Sequence, residues 1–150
     1  MKRLIGLIAA LAGLCLFGQT AQAAAPCGLG QPGQTQAVAI GGSGRTLLLH
    51  IPTGFDPARP APLVFLLHGS GGTGASMLAS SRLAEAADRH GFIVAAPNAG
   101  IPVERGFVWN IPGVPTITGA VPGPGDADDV AYLTTTIRYL AEQGCVDDSR

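Results

Sequence analysis

The chain has 150 residues, of which 47% are hydrophobic and 13% charged, and its mean hydropathy is +0.33. These values exclude a disordered tail, and a formal net charge of −1 excludes a basic face for nucleic acid and an acidic tail. Its 22 glycines and 12 prolines follow no three-residue period, so collagen is excluded as well, and the length suits one ordinary domain or half of a larger one.

Residues 1–25 have the layout of a secretory signal peptide. Lys2 and Arg3 are followed by the apolar run Leu4 to Phe17 and a small-residue region with the triplets Ala21-Gln22-Ala23 and Ala23-Ala24-Ala25. The run is shorter than the roughly 20 residues of a membrane span. The expected product is therefore secreted or periplasmic and free of the membrane once the leader is removed. Without Lys2 and Arg3 the remainder carries seven basic residues against ten acidic ones, a net charge of −3, and no lysine. Cys15 leaves with the leader. Cys27 and Cys145 then remain in an oxidising compartment, where thiols usually pair. Two free thiols, or a partner for Cys145 beyond Arg150, are the alternatives.

Residues 26–150 are expected to form one domain or part of one. Pro26 to Gln36 is an irregular entry segment. Arg45 to Ile51 predicts a strand closed by Pro52, and Thr53 to Pro62 a turn with three prolines. Leu63 to Leu67 is a continuous apolar run, the pattern of a strand covered on both faces. A glycine-rich turn, His68 to Gly74, follows. Ser76 to His90 predicts a helix stopped by Gly91. Phe92 to Ala96 is a second buried-type strand, ended by Pro97. Residues 98–125 form a loop with five prolines and six glycines, and loops of such length are usually functional or disordered. Asp126 is placed as the cap of a helix to about Gln143, with Val130, Leu133, Ile137, Leu140 and Ala141 on one apolar face. Gly144 stops it, and residues 146–150 are a polar turn. The alternation implies an α/β fold with a mostly parallel sheet and flanking helices.

The most specific local signal is Leu66-Leu67-His68-Gly69-Ser70-Gly71-Gly72. A buried strand feeding an H-G-x-G turn is how α/β-hydrolases present a backbone N–H to an oxyanion. Acyl transfer builds negative charge on oxygen, and fixed donors in a dry site stabilise it. An ordinary strand-to-helix turn with a structural His68 is the plain alternative. A phosphate-binding turn over 69–74 is another, although neither G-x-G-x-x-G nor G-x-x-x-x-G-K-[ST] is completed.

Around this motif the chain resembles the N-terminal half of the secreted polyhydroxybutyrate depolymerase and feruloyl esterase family of α/β-hydrolases. The resemblance covers about residues 45–150. It rests on Ile51-Pro52-Thr53-Gly54-Phe55-Asp56-Pro57, Pro62 to Gly69, Gly91 to Pro97, Val108-Trp109-Asn110, Asp128 to Tyr132, and the tail Val146 to Arg150, which looks like the segment before the family's nucleophile strand. Where family members often carry Cys after His-Gly, this chain carries Ser70.

The resemblance implies a partial α/β-hydrolase fold lacking its C-terminal half, an exported carboxylic-ester hydrolase, and an ester substrate (polyester or aromatic-acid ester). It implies no cofactor, no metal and no nucleic-acid partner. It places oxyanion donors at Ser70 and Gly71. Trp109 sits in the long loop after a strand's C-terminal end, where open α/β sheets bind ligands, and is a candidate for the substrate cleft, with a simple packing role as the alternative. The serines at 43, 70, 76, 80, 81 and 149 include none in G-x-S-x-G, and His50, His68 and His90 fall on scaffold positions. Nucleophile, acid and base are thus expected after Arg150, and the chain by itself is expected to be inactive. Asp126, Asp128 and Asp129 lack the rest of a calcium loop, and Ser70 beside His68 is a poor nucleophile pair. A secreted binding module using the 98–125 loop, and a phosphate-binding protein, are the alternative functions.

Overall fold

The computed structural model describes residues 26–149; the leader expected over residues 1–25 lies outside them. β1 (Thr35–Ile40) and β2 (Arg45–His50) form an antiparallel hairpin with Thr35 opposite His50 and Ile40 opposite Arg45. Gly42 and Gly44 turn the chain between them in the left-handed region, at φ 74° and 67°. β1 departs from the sequence-based expectation, which gave this stretch no strand. Its inward positions Val38 and Ile40 alternate with the exposed Ala37 and Ala39, so the period-2 signal is short and weak.

β2 also pairs antiparallel with β4 (Ile93–Pro97), and β4 pairs parallel with β3 (Leu63–Phe65), giving the order β1-β2-β4-β3. The sheet is mixed rather than mostly parallel, since only the β3–β4 pair, joined by a helical crossover, runs in one direction. All five residues of β4 are buried, as a strand covered on both faces requires. The matching apolar run of β3 is only half-buried because β3 lies at the edge.

The crossover is two helices, not one. α1 (Gly74–Ser81) and α2 (Leu83–His90) meet at Arg82, whose φ of 55° interrupts the helix. Residue 74 must be glycine because a Cβ there would stand 2.3 Å from the Ala96 carbonyl oxygen. The loop after β4 contains a small ladder, β5 (Ile101–Pro102) with β6 (Phe107–Val108). α3 (Asp129–Glu142) starts later than expected, because Asp128 rather than Asp126 caps it by accepting the Ala131 N–H at 2.8 Å. Asp126 instead accepts from the Gly123 N–H.

The face of α3 turned inward is Asp129, Tyr132, Thr136 and Leu140. Of the expected stripe Leu140 is buried and Leu133 packs against the core, while the positions before Val130 and Ile137 are buried in their place. Val130 is 59% exposed and Ile137 37%. The core gathers Val38, Ile40, Leu47, Leu49, Ile51, Ile93, Ala95, Tyr132 and Leu140 together with Cys27 and Cys145. These two cysteines form a disulfide that ties the entry segment to the residues after α3.

Those residues run along the outer edge of β3. The Ala61 N–H donates to the Cys145 carbonyl and the Asp147 N–H to the Ala61 carbonyl, each at 3.0 Å, making a parallel bridge between Ala61 and Val146. Pro62 and Leu66 bond toward β4. By the two-residue period of a strand, Leu63, Phe65 and Leu67 therefore turn their backbone groups the same way as Ala61, to the outer edge.

Candidate functional site

The turn His68 to Gly74 leaves the C-terminal end of β3 and is held by the loop after β4. His68 is buried, while Gly69 and Ser70 are exposed. The His68 imidazole receives the Ala99 N–H on Nε2 at 3.0 Å and faces the Gly69 carbonyl with Nδ1 at 2.7 Å. A nitrogen that accepts an N–H carries no proton, and one that faces a carbonyl must carry one. The ring is therefore the neutral Nδ1–H tautomer. The Trp109 indole N–H donates to the His68 carbonyl at 2.8 Å, and the two rings lie 5.0 Å apart.

Further along the turn, Gly71 adopts φ 76° and its N–H donates to the Phe107 carbonyl at 2.9 Å, while the Phe107 N–H returns to the Gly72 carbonyl. This bears on the expected donor pair. The Gly71 N–H is already spent on β6, whereas no described residue accepts the Ser70 N–H. A close approach builds this contact: a Cβ on Gly106 would stand 2.4 Å from the Gly72 carbonyl oxygen.

Two of the first three amides of α1 are also committed. The Gly74 N–H donates to Asn98 Oδ1 and the Ser76 N–H to Thr73 Oγ1 in a capping box. Two of the donors a phosphate would need at that helix start are thus occupied by the protein itself.

Behind the turn stands a buried polar cluster that sequence reasoning missed. Asp129 accepts the Asn110 N–H on Oδ2 at 2.8 Å. Arg45 Nη2 lies 2.8 Å from Asp129 Oδ1, within ion-pair range although its N–H is not aimed at that oxygen, and bonds the Asn98 carbonyl. The same guanidinium sits 3.7 Å above the Tyr132 ring. Burial pushes the Tyr132 phenol up, and the Arg45 charge pulls the other way. The cluster links β2, the loop at 98–110 and the start of α3. Asp126, Asp128 and Asp129 go to three different partners and do not converge on one point.

His50, expected to be structural, is buried between Thr35 Oγ1 and the Asp88 carboxylate. His90 is exposed at the end of α2, away from this cluster's hydrogen bonds. Trp109 stands at an open cavity of about 240 Å³ shared with Leu67, Ile111, Pro112, Val130 and Leu133. The lining is overwhelmingly apolar, with the exposed stripe of α3 as one wall.

No protein-family model matches the chain. The chain is 32% identical over 108 residues to feruloyl esterase B of Piromyces equi; the match takes in 71% of this chain and 18% of that protein. The chain thus spans less than a fifth of the length of the curated relative it matches. Its similarity to an esterase, its α/β layering and its strand-end glycine turn point in one direction. Among the described residues no helix is long and apolar enough to cross a membrane.

Proposed function

We propose that this chain is the N-terminal part of an exported carboxylic-ester hydrolase of the polyhydroxybutyrate depolymerase or feruloyl esterase type, built on an α/β-hydrolase fold. The observation that carries the proposal is the N–H of the exposed Ser70, accepted by no described residue, on a clamped turn at the C-terminal end of β3, beside an edge where residues 145–147 already run parallel to the strand. A strand continuing from residue 147 in that register lies next to β3 and ends near the turn. Its C-terminal end is where an α/β-hydrolase carries its nucleophile serine.

In this scheme the serine attacks the ester carbonyl, and a histidine takes its proton and later hands it to the leaving alcohol. The Ser70 N–H donates to the carbonyl oxygen as it becomes an anion. Trp109 lines the cleft from the loop side. Nucleophile, acid and base all follow Arg150, so residues 26–150 alone supply one donor and no turnover. The substrate is a polyester or an aromatic-acid ester, and residues 1–25 direct export and are cleaved off.

The coding sequence past Arg150 tests this directly. A G-x-S-x-G elbow followed by an acid and a histidine is the expected result, and the intact protein should hydrolyse p-nitrophenyl acetate until a serine-directed phosphonate is added. A reading frame without an elbow, or an intact folded protein with no esterase turnover, overturns the proposal. N-terminal sequencing of exported protein should begin at about residue 24 or 26; Met1 intact on exported protein overturns the leader.

A further inference from the structure

A backbone N–H serves as an oxyanion donor only if its peptide plane is fixed before the charge develops. In this turn the relevant plane joins Gly69 to Ser70. Its oxygen is held by two donors at once, the Gly72 N–H at 2.9 Å and His68 Nδ1 at 2.7 Å. In a trans peptide the carbonyl and the following N–H point in opposite directions, and the described residues contain no cis peptide. Pinning the Gly69 oxygen inward therefore turns the Ser70 N–H outward, where no described residue accepts it.

The His68 proton is itself placed. The Ala99 N–H, two residues past the end of β4, occupies Nε2 and leaves Nδ1 as the protonated nitrogen. Trp109 fixes the backbone of the same residue through its carbonyl. A Cβ on Gly72 would stand 3.0 Å from the Gly69 oxygen, so glycine there is what lets the second donor approach closely.

We infer that His68 is the positioning residue of the oxyanion site: its Nδ1–H locks the Gly69–Ser70 peptide so that the Ser70 N–H faces the substrate. This inference rests on the esterase function proposed above. It gives the histidine of the H-G-S-G turn a task other than packing or proton transfer, since neither ring nitrogen is left to accept a substrate proton.

The test uses the intact protein, including the residues that follow Arg150, with ¹⁵N-labelled histidine. Long-range ¹H–¹⁵N correlation should show His68 as the neutral Nδ1–H tautomer at pH 7. An Nε2–H or doubly protonated ring overturns the lock whether or not the protein is an esterase. His68→Gln and His68→Asn then separate positioning from packing. The Asn amide nitrogen falls near Nδ1 and keeps a donor to the Gly69 oxygen. The Gln amide falls near Nε2 and keeps only the partner of Ala99. Both bury one amide in the same place.

The expected result is a kcat about a hundredfold lower for H68Q with KM little changed, and H68N within about tenfold of the parent. Equal losses in the two variants, or a loss carried by KM, overturn the inference while leaving a parent that hydrolyses ester. If H68Q does not fold, H68N decides: kcat near the parent's together with the Nδ1–H tautomer upholds the lock, and kcat a hundredfold down overturns it. A parent that folds, shows the tautomer and hydrolyses no ester overturns the function and, with it, the role in catalysis.

Discussion

Ala61 and Val146 lie side by side in a parallel bridge, the Ala61 N–H donating to the Cys145 carbonyl and the Asp147 N–H to the Ala61 carbonyl. The bridge starts a strand pairing that, among the described residues, goes no further along β3. Leu63, Phe65 and Leu67 are left with outward backbone groups, and Val130 and Ile137 of α3 with exposed side chains. An apolar strand edge of this kind recruits other chains.

Residues 26–150 produced alone are therefore expected to associate and to show no esterase turnover. Leu67→Lys together with Val130→Glu places charge on both parts of the surface and should shift the protein toward monomer. Light scattering reads the change. A parent that is monomeric at high concentration contradicts the open-edge account.

The Cys27–Cys145 disulfide closes a loop with a sequence separation of 118. On the chain-entropy model a loop of that length is worth roughly 4–5 kcal/mol. Thiol titration of the unfolded protein, made in an oxidising compartment, should find no free sulfhydryl. Replacing both cysteines by alanine should lower urea stability by about that amount. Two titratable thiols in the parent would refute the bridge.

Asp88 is held below the usual carboxylate range, first by the Thr53 N–H on its oxygen and then by the His50 ring. A depressed carboxylate stabilises the fold above its unfolded pKa of about 4, and that stabilisation is lost as pH falls through the lower folded value. Asp88→Asn should be less stable than the parent at pH 7. The gap should stay constant down to about pH 5 and close below about pH 4. Denaturation midpoints across that range check it; a gap that widens in acid contradicts the assignment.

Asp129 is 3% exposed and Arg45 22%, so the pair is largely withdrawn from water. Asp129→Ala removes the acceptor of the Asn110 N–H and leaves the guanidinium without its counter-charge. A loss of about 3 kcal/mol is expected. Trp109 fluorescence should also change, because its neighbour Asn110 is released. A loss below about 0.5 kcal/mol would show that the cluster contributes little.

Gly74→Ala meets a backbone oxygen rather than a flexible side chain, at 2.3 Å from Ala96. Neither the strand nor the helix can retreat without breaking the β3–β4 crossover packing. The expected cost is about 3 kcal/mol, read by thermal or urea unfolding. The same change at Gly54, where a Cβ has open space, should cost far less.

Local chemistry was enough to find much of this protein. Continuous apolar runs located β3 and β4, helical periodicity located α3, and the glycines of His68 to Gly74 marked the turn. What lay beyond local reach was decided by partners distant in the chain. β1 exists because β2 supplies its ladder, and two alanines left little pattern to announce it. α3 buries Asp129 in preference to Val130, because Arg45 and Asn110 receive the carboxylate; Thr136 needs no distant partner, its hydroxyl donating to the Tyr132 carbonyl one turn back in the same helix. Composition along a helix ranks faces by hydrophobicity, but only the neighbouring elements determine which polar groups find partners inside. The turn from His68 to Gly74 obeys the same distinction. Sequence named Ser70 and Gly71 together, and the tertiary fold separated them, because Phe107 accepts the N–H of Gly71 and nothing among the described residues accepts that of Ser70.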